Sequence, residues 1–306
     1  MSVNHFLQQR LGITKPFVQA PMAGVQDSRL AIAVCQAGGL GSLPCAMLGL
    51  EQIEQHIGKI RDATNQAFNV NFFAHQQGEY TPAMQQQWFD ALQSYYTEFG
   101  LTEADIATTG GRQPFGREQA ELIADLKVPV VSFHFGLPQP ELLQIVKDAG
   151  ALVLSSATTV AEARWLEAHG ADVIIAQGLE AGGHRGHFLS TDVTRQAGTF
   201  SLLPTIIKAV KLPVIAAGGI SNAITAQAAF DLGASAIQVG TALLLADESD
   251  TKPFHRAALQ SDAAEHTVLT NLFSGGLARG IVNRFIQEMG YVSEAAPPFP
   301  HASFVS

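Results

Sequence analysis

The stretch Asp172-Val173-Ile174-Ile175-Ala176-Gln177 decides the fold. It is a short apolar run without alternating polar residues, which is typical of a parallel strand buried on both faces by helices. Comparable runs recur along the chain with amphipathic segments between them, including the segments 159–169 and 222–232. The other runs are residues 17–20, 40–43, 68–73, 128–133, 151–155, 213–217 and 234–239.

Eight such runs alternating with helical segments predict an α/β protein with a (βα)8 TIM-barrel fold. We assign residues 1–306 to a single domain. Residues 75–115, rich in Gln and Tyr, interrupt the alternation of strands and helices after the third strand. They are predicted to be a lid-like insertion. Residues 250–306 are predicted to form a C-terminal helical segment and tail.

The composition narrows the classes of function. The 306 residues are 47% apolar and 15% charged, with a net charge of −9. A chain this apolar can form a large core, and its acidic balance argues against a nucleic-acid partner. The N-terminus shows no signal peptide, and no apolar run approaches the roughly 20 residues that span a bilayer. We therefore expect a cytoplasmic protein that binds no membrane, with Cys35 and Cys45 as reduced thiols rather than a disulfide.

Two glycine-containing segments follow the last two barrel strands. They are Ala217-Gly218-Gly219-Ile220-Ser221-Asn222 and Gln238-Val239-Gly240-Thr241. Glycine lets the backbone approach a phosphate closely, and N–H groups at a helix start stabilise its charge. Barrels often bind phosphate after strands seven and eight, so we predict a phosphate site here. The pattern does not separate a phosphorylated substrate from a cofactor, and each Gly segment read alone is also compatible with a simple tight turn.

A third glycine-rich segment, residues 177–186, follows the sixth strand and contains Glu180-Ala181-Gly182-Gly183-His184. Four glycines in ten residues allow a flat ring system to lie against the backbone. Histidine suits proton abstraction near neutrality, so His184 is the candidate base. Because His184 and His187 lie on a loop without an evident third ligand, we predict no metal site.

Two further histidines follow barrel strands. His134 ends the fourth strand, where an active-site role and a hydrogen-bonded core role are equally compatible with the sequence. For His75, after the third strand, the core role is favoured. The sequence contains neither a Gly-x-Ser-x-Gly elbow nor a dinucleotide-binding glycine fingerprint after the first strand.

Taken together, the motifs resemble class I nitronate monooxygenases over nearly the whole chain and in the same order. The Glu-Ala-Gly-Gly-His element alone is less specific, because FMN-dependent enoyl-acyl-carrier-protein reductases share it. The motifs that carry the resemblance are residues 19–24, 71–73, 132–136, 177–186, 216–220, 238–241, 273–275 and 278–280.

The resemblance implies an FMN cofactor and a reaction. An alkyl nitronate such as propionate 3-nitronate, or a nitroalkane, would be oxidised with O2 to a carbonyl compound and nitrite. His184 would orient or deprotonate the substrate, and His134 matches a second active-site histidine. The implied FMN-binding residues are Ala20, Pro21, Met22, Asn71, Gln177, Gly182, Gly183, Gly218, Gly219, Gln238, Gly240 and Thr241.

Two other hypotheses remain at this point. The chain could be an NAD(P)H-dependent FMN reductase of enoyl thioesters or quinones, which reduction of the flavin by NADH would reveal. It could also be a flavin-binding protein without catalysis, which inactivity toward both substrate classes would support. As to assembly, we expect a monomer or a homodimer.

Overall fold

The computed structural model describes residues 5–102, 105 and 112–302. Residues 1–4, part of the predicted insertion (103–104 and 106–111) and the end of the predicted tail (303–306) lie outside these ranges. Within the described chain, eight parallel strands form one sheet. They are β1 (Phe17–Gln19), β2 (Gly41–Pro44), β3 (Phe68–Phe73), β4 (Val130–His134), β5 (Leu152–Ala157), β6 (Val173–Gln177), β8 (Val214–Ala217) and β9 (Ala236–Val239).

Helices connect successive strands, and the spatial order β1-β9-β8-β6-β5-β4-β3-β2 returns to its start, so the predicted (βα)8 barrel is confirmed. The strand β7 (Gly183–His184) belongs to a second sheet. The helices are α1 (Phe6–Leu11), α2 (Ser28–Gln36), α3 (Leu50–Ala63), α4 (Pro82–Phe99), α5 (Arg117–Asp125), α6 (Pro140–Asp148), α7 (Val160–Ala168), α8 (Thr199–Ala209), α9 (Ala223–Asp231), α10 (Pro253–Leu259) and α11 (Arg284–Met289).

A side chain completes the closure of the barrel between β1 and β2. The two strands share one backbone bridge, between Val18 and Leu40. Beyond it, the amide of buried Gln19 donates to the carbonyl oxygen of Ser42 and accepts from the Ser42 N–H, both at 3.1 Å. The Ser42 hydroxyl in turn donates to the carbonyl oxygen of Gln19 at 2.6 Å. Gln19 thus replaces the backbone partner that the short ladder lacks.

Apolar side chains fill the lower part of the barrel interior. Val130, Leu152 and Val173 begin their strands and pack in one buried cluster with Leu7 and Ile13. The segment around α1 therefore covers the amino-terminal ends of the strands. A second, larger cluster lies between the outer strand faces and the helices, and includes Ile53, Val131 and Ile206 among its members. Burial on both faces is the reason that the strand sequences show no polar alternation.

The described chain divides into two compact units. The first comprises the described residues 5–75, 114–181 and 186–256 and contains the barrel. The second comprises, among the described residues, 76–102, 105, 112–113, 182–185 and 257–302. Its own core is built on α4 and α11, with Trp88, Leu92, Tyr96 and Ile286 buried. The assignment of the chain to one domain stays a prediction.

The second unit contains a small antiparallel sheet that the sequence did not predict. Its strands are β7 (Gly183–His184), β10 (Thr267–Thr270) and β11 (Ala278–Ile281), in the order β10-β11-β7. Residues 250–306, predicted as a C-terminal helical segment and tail, contain α10 and α11 and also β10 and β11. Strands of two to four residues are too short for an alternation pattern to separate them from loops.

Both cysteines are buried and free, as predicted. Burial raises the pKa of the Cys35 thiol and of the Cys45 thiol, because a thiolate is disfavoured away from water. None of the helices in the described ranges has the length and apolar character needed to cross a membrane.

Candidate active site

Polar side chains line the inner face of β3 and β4 toward their carboxyl ends. On β3, the amide nitrogen of Asn69 lies 2.9 Å from the Ser132 hydroxyl and 3.0 Å from the Ser42 hydroxyl. The amide nitrogen of Asn71 donates to the same Ser132 hydroxyl at 3.0 Å and to the Ser132 carbonyl at 3.2 Å. Ser132 therefore fixes the orientation of both asparagine side chains.

This arrangement leaves the Asn71 side-chain oxygen available to a ligand. Among the described residues, no group donates a hydrogen bond to it. An amide oxygen accepts hydrogen bonds, so a ligand with an N–H group fits at this position. Gln177, at the end of β6, uses its side-chain oxygen to accept from the Gly186 N–H at 2.7 Å. That bond joins the two ends of the glycine-rich segment 177–186.

The segment after β1 meets the segment after β9. The Ala20 N–H donates to the carbonyl oxygen of Val239 at 2.8 Å. A Cβ atom placed on Gly240 would lie 3.3 Å from the Ala20 Cβ and 3.4 Å from the Met22 sulfur. The structure thus brings together three of the residues predicted to bind the cofactor, and Pro21 lies between two of them in the chain.

Backbone N–H groups at the ends of β8 and β9 are free to bind an anion. Within the described ranges, the N–H groups of Gly219, Ile220, Gly240 and Thr241 donate to no protein group. Gly218 and Gly219 have positive φ angles of 114° and 69°, which a residue with a side chain rarely adopts. The nearby α9 is already capped, because Asn222 accepts from the Ile224 and Thr225 N–H groups. The four free donors form the group we call the anion cradle.

Glu180, in the glycine-rich segment, has a structural role that the sequence did not reveal. One of its carboxylate oxygens accepts from the Thr199 N–H at 2.8 Å and lies 3.0 Å from the Thr199 hydroxyl, at the start of α8. The Thr199 hydroxyl also lies 2.9 Å from the Gly218 carbonyl oxygen, to which it donates. A Cβ on Gly178 would lie 2.4 Å from the Thr199 nitrogen, so only glycine fits there.

His184 lies in the second unit and occupies a strand rather than the predicted loop. As part of β7 it pairs with Ala278 of β11, and Gly183 pairs with Arg279. Gly182 and Gly183 are exposed, and Gly183 has a φ of 73°. The half-buried His184 ring is fixed by Ser274, whose hydroxyl lies 2.7 Å from Nε2. Ser274 is itself buried and donates to the Gly276 carbonyl oxygen at 3.4 Å.

The chain near the C-terminus places an aromatic ring against His184. The Phe299 ring meets the His184 ring edge to face, with 5.2 Å between the centroids. Two glycines allow this approach: a Cβ on Gly275 would lie 2.1 Å from the Pro297 carbonyl oxygen, and one on Gly276 would lie 3.1 Å from the Phe299 ring. The segments 274–276 and 297–299 therefore fix the surroundings of His184.

His134 lies at the end of β4 in the barrel unit. Its Nδ1 atom is 2.6 Å from the Ser156 hydroxyl on β5. A Cβ on Gly186 would lie 2.6 Å from both the His134 ring and the Ser156 hydroxyl, so glycine is required where the glycine-rich segment passes these side chains. His134 ends β4 and Gln177 ends β6. The carboxyl ends of the strands are where barrel enzymes carry their catalytic residues.

The sequence did not single out Asn69, Ser132, Ser156, Ser274 or Phe299 as site residues, although Ser132 and Ser274 lie in the segments 132–136 and 273–275 that carry the resemblance. Inward-facing serine and asparagine in an otherwise apolar strand could have identified the first three. Ser274 and Phe299 could be found only through the fold, because their contacts with His184 span long sequence separations. In the part of the chain that the structure covers, no group of three or more His, Cys, Asp or Glu side chains could hold a metal ion.

A family model described as nitronate monooxygenase matches residues 4–303. The chain belongs to the nitronate monooxygenase family. The nitronate monooxygenase of Paraburkholderia phytofirmans is 42% identical over 279 residues, which cover 90% of this chain and 75% of that protein. The Pseudomonas aeruginosa nitronate monooxygenase is 39% identical over 297 residues, covering 96% of this chain and 84% of that protein.

A solved structure agrees with the family match. The nitroalkane oxidase from Streptomyces ansochromogenes superposes with a TM-score of 0.87 at 39% identity, covering 97% of this chain and 83% of that one. Family membership makes the chain an oxidoreductase that oxidises nitronates. The nitronate monooxygenase family is flavin-dependent as a group.

Proposed function

We propose that the protein catalyses FMN-dependent oxidative denitrification of alkyl nitronates, with O2 as co-substrate and a carbonyl compound and nitrite as products. The observation that carries the proposal is the anion cradle, Gly219, Ile220, Gly240 and Thr241, at the barrel position where a terminal phosphate would bind. In a family that depends on flavin, this cradle favours a flavin with one phosphate, which is FMN.

The remaining polar groups of the barrel unit fit such a ligand. The free oxygen of Asn71 would accept from the flavin ring, while Ala20, Pro21 and Met22 would lie beneath it. Gln177, Gln238 and Gly218 complete the part of the proposed FMN site that lies in the barrel unit, and FMN binding by Gly182 and Gly183 stays a prediction. When bound, FMN supplies the electron-accepting chemistry, and the protein supplies position and electrostatics.

His184 would orient the nitronate and accept the proton when a neutral nitroalkane is the substrate. A nitronate already lacks that proton, so only the neutral nitroalkane would need His184 as a base. The hydrogen bond between Nε2 and the Ser274 hydroxyl would hold the ring in one orientation, and Phe299 would keep water from one edge of it. His134, held by Ser156, is proposed as the second active-site histidine.

The proposal is tested by adding one reactant at a time. The purified protein is expected to be yellow and to lose its visible absorbance when propionate 3-nitronate is added without O2. NADH alone is expected to cause no comparable loss. Rapid bleaching by NADH and none by nitronate would instead favour the NAD(P)H-dependent reductase. Sedimentation of the same sample distinguishes the monomer from the homodimer.

A further inference from the structure

Arg112 is a cation without a counter-ion in the part of the chain that the structure covers. It is half-buried, yet it forms no hydrogen bond and no ion pair with any described residue. By contrast, Arg284 and Arg29 both have carboxylate partners. Burying a charge without a partner is costly, so such a group commonly serves a ligand of opposite charge. Burial also lowers the pKa of the Arg112 guanidinium.

The surroundings of Arg112 connect it to His184 through one aromatic ring. Its guanidinium carbon lies 6.0 Å from the Phe299 ring centroid, within the range of a cation–π contact. The same ring meets His184 at 5.2 Å. The guanidinium is therefore no more than about 11 Å from the His184 ring, with Phe299 common to both contacts.

We propose that Arg112, held by Phe299, binds a second anionic group of the substrate and so selects nitronates that carry a carboxylate. This inference rests on the proposed function, because it takes His184 as the residue that contacts the nitronate group. A guanidinium suits this task, since its N–H donors match the two oxygens of a carboxylate.

The dimensions suit a short chain between the two anionic groups. A nitronate would contact His184 at one end, and a carboxylate would contact Arg112 at the other. Each contact uses part of the distance between the guanidinium and the His184 ring. Because about 11 Å is the upper bound of that separation, the connecting chain can contain no more than a few carbon atoms. Propionate 3-nitronate has this length, and propyl 1-nitronate has a similar carbon chain without the carboxylate. The two compounds therefore form a matched pair of substrates.

The first arm of the test compares these substrates in Arg112→Met and Arg112→Lys. For Arg112→Met, KM for propionate 3-nitronate is expected to rise roughly ten- to a hundredfold, as expected for the loss of a charged hydrogen bond. KM for propyl 1-nitronate should stay within about twofold. Arg112→Lys, which keeps the charge, is expected to fall between wild type and Arg112→Met with the carboxylated substrate. Equal effects on both substrates would overturn the inference and indicate a structural role.

The second arm measures binding without turnover. Succinate, a dicarboxylate of similar length, is titrated into the protein by calorimetry, and its affinity is expected to fall at least about tenfold in Arg112→Met. Arg117→Met is the control, because Arg117 is exposed and paired with Glu121 on α5. Absent succinate binding in the wild type, or equal affinities in wild type and Arg112→Met, would contradict the anion site. Arg112-dependent succinate binding without nitronate turnover would refute the proposed function and leave the anion site standing.

Discussion

The Nε2 atom of His184 lies 2.7 Å from the hydroxyl oxygen of Ser274, a residue 90 positions further along the chain. Because Ser274 also donates to the Gly276 carbonyl oxygen, this geometry favours the proton on Nε2 of His184. In the proposed function, the imidazole held in this orientation would accept the proton of a neutral nitroalkane. Ser274 is thus a positioning residue that acts through His184.

Replacing Ser274 by alanine should slow the reaction with neutral nitroethane roughly ten- to a hundredfold, because the base loses its orientation. The reaction with the preformed nitronate should change much less, since no proton has to be removed. The pH profile of kcat/KM with nitroethane should shift, whereas a purely structural defect would leave its midpoint in place. Ser274→Thr, which keeps the hydroxyl, serves as the control and should retain most of the activity.

The contact of Glu180 with Thr199 predicts a loss of stability. Glu180→Ala removes the acceptor for the Thr199 N–H at the start of α8 and the carboxylate oxygen that lies 3.0 Å from the Thr199 hydroxyl. The expected cost is about 1–3 kcal/mol of unfolding free energy, measured by urea denaturation of the flavin-loaded protein. Thr199→Ser, which preserves both donors, should lie close to wild type. A Glu180→Ala protein as stable as wild type would show that the contact contributes nothing.

The close packing around Gly240 predicts that a larger residue at this position weakens FMN binding. A valine at this position would push against Ala20 and Met22, since even a Cβ atom lies 3.3 Å from the Ala20 Cβ. Gly240→Val is therefore expected to be purified with less FMN per chain, as measured by the ratio of flavin to protein absorbance.

Gly58 offers a matched control for Gly240→Val. It lies within α3, where an added Cβ would meet nothing within 4 Å. Gly58→Ala should retain FMN fully and gain about 0.5–1 kcal/mol of stability, because alanine favours a helix. Equal FMN content in Gly240→Val and Gly58→Ala would exclude Gly240 from the cofactor site.

The ion-pair network of the second unit predicts a dependence on pH. Arg284 contacts both carboxylate oxygens of Glu98 at 2.7 Å and also binds Glu288. The hydrogen bond from Tyr95, followed by that from Arg284, holds the pKa of Glu288 below its usual value of 4.5. A carboxylate with a lowered pKa stabilises the fold above its unfolded pKa and loses that contribution as the pH falls through the folded pKa.

The difference in Tm between wild type and Glu288→Gln should therefore be present at about pH 6 and should shrink below about pH 4.5. Glu294→Gln is the control, because Glu294 is exposed and has no ion pair among the described residues. A Tm difference that does not change over this range would show that Glu288 contributes no charge-dependent stability.

The barrel could be predicted from the sequence because its strands are buried on both faces. Runs such as residues 172–177 and 68–73 are almost continuously apolar, and the observed strands β6 and β3 agree with them within one residue. The polar network inside the barrel could not be predicted in the same way. Asn69 and Ser132 are hydrogen-bonded to each other between strands, and a one-dimensional pattern does not show which side chains face inward together.

The strands and contacts of the second unit were harder to predict from the sequence, for a different physical reason. Gly183 and His184 form a strand only because β11 lies beside them, nearly one hundred residues later in the chain. Local propensity does not favour a strand at a glycine followed by a histidine. The glycine pattern correctly drew attention to residues 177–186. It could not reveal that Ser274 and Phe299 position His184, since both contacts depend on the tertiary fold.

The central claim is that this chain oxidises nitronates with O2 through bound FMN, and oxygen uptake tests it most directly. The purified, flavin-loaded protein is placed in an oxygen electrode with propionate 3-nitronate and without NADH, and nitrite is assayed in the same sample. We expect rapid oxygen consumption accompanied by nitrite release. A protein that retains its flavin yet consumes no oxygen and releases no nitrite under these conditions would contradict the account.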